Sequence, residues 1–217
     1  MSKKSYGDKS LALHRKLKGK LGIQSKTPIE NKEDLSAIYT PGVAEVSLVM
    51  SKNPKLAREM SIKSNAVMVV SDGSAVLGLG NIGPYGALPV MEGKALLFKK
   101  FADIDAYPIC LATQDTEEII QTIKNISVGF GGINLEDISA PKCFEIEERL
   151  KKELDIPVMH DDQHGTAIVV LASLINALRV VKKEKDNIKI VVNGAGSAAI
   201  AITNLLMRYG ATPKNII

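Results

Sequence analysis

Ile188-Lys189-Ile190-Val191-Val192-Asn193-Gly194-Ala195-Gly196-Ser197-Ala198-Ala199 is the stretch on which the reading of this chain turns. The apolar run reads as a strand, and the segment after it supplies Gly-x-Gly-x-x-Ala ahead of a helix predicted to reach about Arg208. Gly194 permits a tight turn, Gly196 lets a pyrophosphate approach the backbone, and the small Ala199 lets helix and strand pack closely. Ser197 and Ala198 complete the same cradle at the helix start. The segment therefore points to a dinucleotide, NAD or NADP, although a glycine-rich turn also occurs as a plain strand-to-helix connection. Gly210 to Ile217 has room only for a turn and the start of a second strand. The acidic residue that normally follows about 20 positions beyond such a fingerprint would fall past the last residue.

With 217 residues, the chain has material for one ordinary domain, or for one domain plus part of another. Its modest positive balance gathers at the start, where Lys3, Lys4, Lys9, Arg15, Lys16, Lys18, Lys20 and Lys26 face only Asp8. No aromatic platform or glycine-rich nucleic-acid loop accompanies these charges, so they read as a solvated terminal face and no nucleic-acid partner is expected. No apolar stretch reads as long enough to span a bilayer, and no hydrophobic signal core follows Met1. The expectation is a cytoplasmic protein without a membrane partner. Cys110 and Cys143 lack metal-ligand spacing and read as free thiols in or near the core.

Working back from the fingerprint, strands alternate with helices, which predicts an α/β protein with sites at the C-terminal ends of parallel strands. Ala66–Val70 and Tyr107–Leu111 read as strands, as does the short run Ile156–Met159. Thr116–Ile126, Lys142–Lys152 and Ile168–Val181 read as helices, and Ser10–Lys20 as a short basic one. Thr40 is placed to cap a helix opened by Pro41, with Val43, Val46, Val49 and Met50 as its inward stripe. Val76–Leu79 is expected to return beside the first strand. Gly80–Pro89 carries too many glycines and prolines for a regular element and is expected to be a loop. Lys94 then falls near a helix start, where the dipole and burial would together lower its pKa and suit a proton acceptor.

Four carboxylates stand in two adjacent pairs, Glu136-Asp137 and Asp161-Asp162. If the loops that carry them meet, two or three of these groups form a hard oxygen site suited to Mg2+ or Mn2+ rather than zinc; otherwise they are ordinary exposed acids. His160 and His164 read as packing or hydrogen-bonding residues, and Asp72-Gly73-Ser74 as a turn. Tyr39 and Lys94 are far apart in sequence but can meet at a sheet edge; taken locally they are a surface tyrosine and a solvated lysine.

In order along the chain, Tyr39-Thr40-Pro41-Gly42-Val43, the Gly78-Leu79-Gly80-Asn81-Ile82-Gly83 segment leading to Lys94, Leu135-Glu136-Asp137, and His160-Asp161-Asp162-Gln163-His164-Gly165-Thr166-Ala167 resemble the motifs of malic enzymes of the short prokaryotic type. The resemblance runs from about Tyr39 to the last residue. It implies an N-terminal malic-enzyme domain over residues 1–156, followed from 157 to 217 by the incomplete start of a Rossmann-like NAD(P)-binding domain. It further implies Tyr39 as general acid, Lys94 as general base, Asp161 as the support of Lys94, and Glu136, Asp137 and Asp162 as ligands of the divalent metal. Gly194, Gly196 and Ala199 match the nucleotide fingerprint. The implied reaction converts malate to pyruvate and CO2 with reduction of NAD or NADP, in an assembly expected to be a homodimer. Larger relatives hold a substrate carboxylate with an arginine after the Asp-Gly pair, whereas this chain has Ser74-Ala75-Val76, so that role is not carried over. Two alternatives remain: a malolactic-type or other metal-dependent 2-hydroxy-acid enzyme, and a non-enzymatic dimerisation or binding fragment.

Overall fold

The computed structural model describes residues 5–217, so Lys3 and Lys4 of the basic cluster lie outside it. Three helices come first: α1 (Tyr6–Leu17), α2 (Lys32–Ile38) and α3 (Val43–Lys52). None of them contains a fully buried residue. The short α4 (Ala57–Met60) leads into β1 (Ala66–Ser71), α5 (Gly83–Ala102), β2 (Asp105–Cys110), α6 (Thr116–Ile126), β3 (Gly132–Leu135), α7 (Lys142–Glu153) and β4 (Val158–His160). The chain then continues into α8 (Asp161–Val181) and α9 (Ser197–Tyr209).

The four strands form one parallel sheet in the order β2-β1-β3-β4. Parallel neighbours need crossovers, and α5, α6 and α7 supply them. Residues of β1 alternate between two packed faces. Met68 and Val70 join Ile119, Ile120 and Ile123 of α6 and Ile146 and Leu150 of α7 in the larger core. Val69 packs instead with Met91 and Ala95 of α5 on the opposite side. Ile119, Ile120 and Ile123 are entirely buried, each contributing about 2 kcal/mol or more of hydrophobic stabilisation. Asp115 holds the start of α6 by accepting the Glu118 N–H at 2.9 Å.

Several local expectations give way to tertiary context. Val76–Leu79 forms no returning strand but a turn, with Leu77 and Gly78 both at positive φ. The Gly/Pro-rich segment is not loop throughout. Helix α5 starts at Gly83, Pro84 sits in its first turn where no N–H is needed, and Pro89 lies inside it. Lys94 is consequently mid-helix rather than near a helix start. Thr40 caps nothing: Gly42 occupies the N-cap of α3 without a side-chain bond. Val43, Val46, Val49 and Met50 do face inward, but they are only half-buried.

Helix α8 also begins earlier than its apolar run suggests, because His160 takes the N-cap position and Asp161 and Asp162 form the first turn. At that length α8 is long and apolar enough to cross a membrane by length and composition, which corrects the expectation from sequence. Its first turn is tied to charged groups of the sheet edge, and it packs along α9. At the fingerprint, the strand expected over 188–192 is reduced to a parallel bridge between Ile190 and Ile216. Val192 N–H also reaches the Ile217 carbonyl at 2.8 Å.

Candidate metal and proton-transfer site

Strand register sets the site. Val70 pairs with Leu135, and Leu135 with His160, so the residues just past β1, β3 and β4 emerge side by side at the C-terminal edge. These residues are Asp72, the pair Glu136-Asp137 and the pair Asp161-Asp162. Ligand oxygens of Glu136, Asp137 and Asp162 lie within 4.8 Å of one another. Lys94 reaches the same edge from α5, with Nζ 2.7 Å from Asp161 Oδ2 and 3.1 Å from Glu136 Oε1. The structure thus brings together five of the residues singled out from sequence.

Glu136 and Asp137 are 5% and 4% exposed, which makes their charges costly. Burial, only partly offset by Lys94 and by the Asn134 amide, pushes Glu136 up to about 7. Burial and repulsion from Asp162 push Asp137 up to about 6. Asp162 is also penalised by burial, yet the neighbouring His160 ring and the Asp137 backbone N–H outweigh that and hold it below its ordinary value. The Asp137 N–H donates to Asp162 Oδ2 at 2.8 Å.

Lys94 differs from its sequence-based expectation. Burial works to lower its pKa, but the hydrogen bond to Asp161 and the charges of Glu136 and Asp161 win, and the amine is raised. A lysine between two carboxylates at about 3 Å keeps its proton in the resting chain.

The donor set fits a hard divalent cation. All three clustered ligands are carboxylates, and Asp137 Oδ2 is buried without any hydrogen-bond partner. Asp137 itself stands at φ 54°, a left-handed conformation that only a well-braced loop maintains in a non-glycine residue. The bracing comes from the loop after β1. Ala75 N–H donates to the Asp137 carbonyl at 3.1 Å, and Ser139 N–H donates to Ser74 Oγ at 2.9 Å. Ser74 Oγ donates in turn to Asp72 Oδ1 at 2.6 Å, and the fully buried Asp72 pairs with Lys142 Nζ at 2.5 Å. Asp72-Gly73-Ser74 is therefore a turn with a supporting task. Gly73, at φ 69°, also packs so closely on the Gly83 backbone that no side chain fits there.

A second layer, absent from the sequence reading, lies behind Asp162. Glu147 of α7 occupies a core-facing position and accepts from the His160 N–H at 3.0 Å, Lys151 Nζ at 2.7 Å and His164 Nε2 at 2.8 Å. The signal in the sequence is an acid in register with the apolar stripe Cys143, Ile146 and Leu150.

Tyr39 stands apart from this cluster. It is the C-cap of α2, 67% exposed, and no hydrogen bond joins its hydroxyl to Lys94 or the acids. The fingerprint residues Gly194, Gly196, Ser197, Ala198 and Ala199 form the turn into α9. Gly194 is at φ 130°, and Gly196 is an N-cap without a side-chain bond, leaving the first N–H groups of α9 open.

Comparison with known proteins places Lys94, Glu136 and Asp137 within one family's range of residues. The family description "Malic enzyme, N-terminal domain" matches residues 18–118 and 112–151, and "Malic enzyme, NAD binding domain" matches residues 163–213. The chain is 59% identical over 213 residues to an NAD-dependent malic enzyme of Geobacillus stearothermophilus, covering 98% of this chain and 44% of that protein. It is 55% identical over 206 residues to a bifunctional malic/malolactic enzyme of Bacillus subtilis, covering 95% and 50% respectively. The crystal structure of the NAD-dependent malic enzyme of Thermotoga maritima superposes with a TM-score of 0.92 at 54% identity, over 95% of this chain and 54% of that one. The chain thus spans about half the length of these relatives.

Proposed function

The chain belongs to the malic enzyme family, with the α/β fold of its N-terminal domain and the start of its Rossmann-like dinucleotide-binding domain, and on that premise we propose that it serves the conversion of malate to pyruvate and CO2 with reduction of NAD or NADP. The observation that carries this reading is the meeting of Glu136, Asp137 and Asp162 with the Lys94–Asp161 pair at one sheet edge. The domain division after Ile156 belongs to the same reading, as do a cytoplasmic location and a homodimeric assembly.

Glu136, Asp137 and Asp162 would hold the divalent cation, Mg2+ or Mn2+. When bound, that cation would supply polarisation of the oxygen at malate C2 and stabilisation of the negative charge left by CO2, and the nicotinamide would be the hydride acceptor. The chain's own groups handle the protons. Lys94 accepts the C2 hydroxyl proton, and Asp161 keeps its amine aimed at that position. Glu136 and Asp161 are the two groups that hold the lysine pKa up, so a cation held by Glu136 would ease loss of the Lys94 proton. Tyr39 delivers a proton to C3 of the enolate that remains, giving pyruvate. The open N–H groups at the start of α9 receive the dinucleotide phosphates.

The malolactic reading has specific support in the printed name of the Bacillus subtilis relative. The two are separated by assaying the chain, and a version extended to the length of its relatives, with malate, Mn2+ and either NAD or NADP. Pyruvate with reduced cofactor and CO2 supports the malic-enzyme reading, and lactate without net reduced cofactor supports the alternative. An extended, folded, metal-binding protein that makes neither product removes both. In that protein Lys94→Ala is expected to lower malate oxidation about 100-fold or more while Mn2+ binding persists.

A further inference from the structure

We infer that Glu147 and Gln163 are positioning residues for Asp162, acting through the buried ring of His160. The inference rests on the reading of Asp162 as a metal ligand and extends it to residues behind the ligand set. Its chain of reasoning starts at Glu147, whose side chain is 8% exposed. Burial works against its charge, but hydrogen bonds from Lys151 and His164 prevail and keep it ionised. An ionised carboxylate only accepts hydrogen bonds. Gln163 Nε2 lies 3.3 Å from Glu147 Oε2, so the amide must turn its nitrogen, not its oxygen, toward the glutamate.

The same Nε2 lies 3.0 Å from His160 Nδ1. An amide nitrogen has two protons to give, one for each neighbour, so His160 Nδ1 is the acceptor. The ring's own proton therefore resides on Nε2. That atom is completely buried, has no straight hydrogen bond to any group, and sits 3.3 Å from Asp162 Oδ2. A small rotation of ring or carboxylate aligns them. Glu147 also fixes the ring's attachment point by accepting the His160 backbone N–H at 3.0 Å. One acid on α7 thus sets both the anchorage and the tautomer of the histidine, and the histidine presents a donor to the carboxylate of Asp162. An Nδ1-protonated ring would instead put a lone pair against Asp162 and push the ligand away.

The tautomer is directly measurable. The chain has three histidines, His14, His160 and His164, so long-range 15N–1H correlation spectra of histidine-labelled, metal-free chain resolve each ring. A proton on His160 Nε2 with Nδ1 bare is the expected result; protonation on Nδ1 overturns the inference with no variant needed. Gln163→Leu removes the donor to Nδ1. It is expected to replace the single tautomer by a mixture and to weaken Mn2+ binding, read by electron paramagnetic resonance, about 10- to 100-fold. A mixed tautomer with unchanged Mn2+ affinity overturns the positioning claim. Failure of the unaltered chain to bind Mn2+ removes the metal reading of Asp162 instead, and a result of that kind is distinguishable because the tautomer is recorded on the same sample.

Discussion

Asp161 can pair with Lys94 because residue 165 has no side chain. The Asp161 carboxylate folds back over the first turn of α8, and a Cβ on Gly165 would fall inside the contact radius of Asp161 Oδ1. Alanine in a helix interior ordinarily gains up to about 1 kcal/mol over glycine. Here crowding opposes that gain and costs about 1–3 kcal/mol or displaces the carboxylate. Gly165→Ala should therefore leave stability unchanged or lowered and detach Asp161 from Lys94. Gly93→Ala in α5, where only Lys20 Nζ approaches, at 3.8 Å, should be neutral or stabilising. Denaturant unfolding of both variants checks the contrast, and equal gains at the two sites would refute the steric argument.

The metal-free chain should lose stability as pH rises. Glu136 and Asp137 are raised in the folded state, to about 7 and about 6, so the stability they contribute is complete below the ordinary carboxylate range and is lost as pH climbs through those values. At about 1.4 kcal/mol per unit, the Glu136 shift alone is on the order of a few kcal/mol. Asp162 is lowered and acts in the opposite sense, its contribution disappearing only as pH falls below the ordinary range. Melting in a chelating buffer should thus give a lower Tm at pH 8 than at pH 5. Mn2+ at about one hundred times its Kd should restore about 2.7 kcal/mol, and should do so more fully at pH 8. A Tm that rises between pH 5 and 8 and ignores Mn2+ would contradict the assignment.

The Asp72–Lys142 pair should be asymmetric to mutation. Lys142→Ala leaves the fully buried Asp72 without its cation, and breaking such a pair costs about 3–5 kcal/mol. The double variant Asp72→Asn with Lys142→Met should recover most of that loss, because the stranded charge is gone. Urea midpoints for the two proteins test this. Equal destabilisation would show that hydrogen bonds to Ser74, rather than charge compensation, hold the loop.

Tyr39→Phe should barely affect folding. The ring is two-thirds exposed and its hydroxyl makes no hydrogen bond among the described residues, so the change in stability should stay within about 0.5 kcal/mol. In a full-length, active protein the same substitution should slow protonation of the pyruvate enolate more than hydride transfer. Unaltered enolate protonation would exclude the acid role.

How much of this was legible beforehand depends on whether neighbours in sequence or neighbours in space decide an element. Helix α6 matches its predicted span because its cap, its acidic first turn and its isoleucine stripe are all local. Helix α5 is hidden from a local reading because tertiary burial of Ala87, Met91 and Ala95 overrides the local cost of Gly86 and Pro89. Both acidic pairs could be seen in the sequence, but their convergence depends on the register of β1, β3 and β4, which no local pattern encodes. The Lys94 assignment followed the helix boundary: placed mid-helix between two carboxylates, the amine is raised rather than lowered. Glu147 gives no local sign of its role because an acid on an amphipathic helix normally faces water.

The parallel order β2-β1-β3-β4 has a kinetic corollary. Each carboxylate pair arrives on a different strand, and neither pair meets the other until β3 and β4 have docked across the intervening α7. Such non-local pairings close slowly and late. A cation that needs Glu136, Asp137 and Asp162 together therefore has nothing to grip in a half-assembled sheet. It should slow unfolding by stabilising the finished state while leaving the rate of folding nearly unchanged.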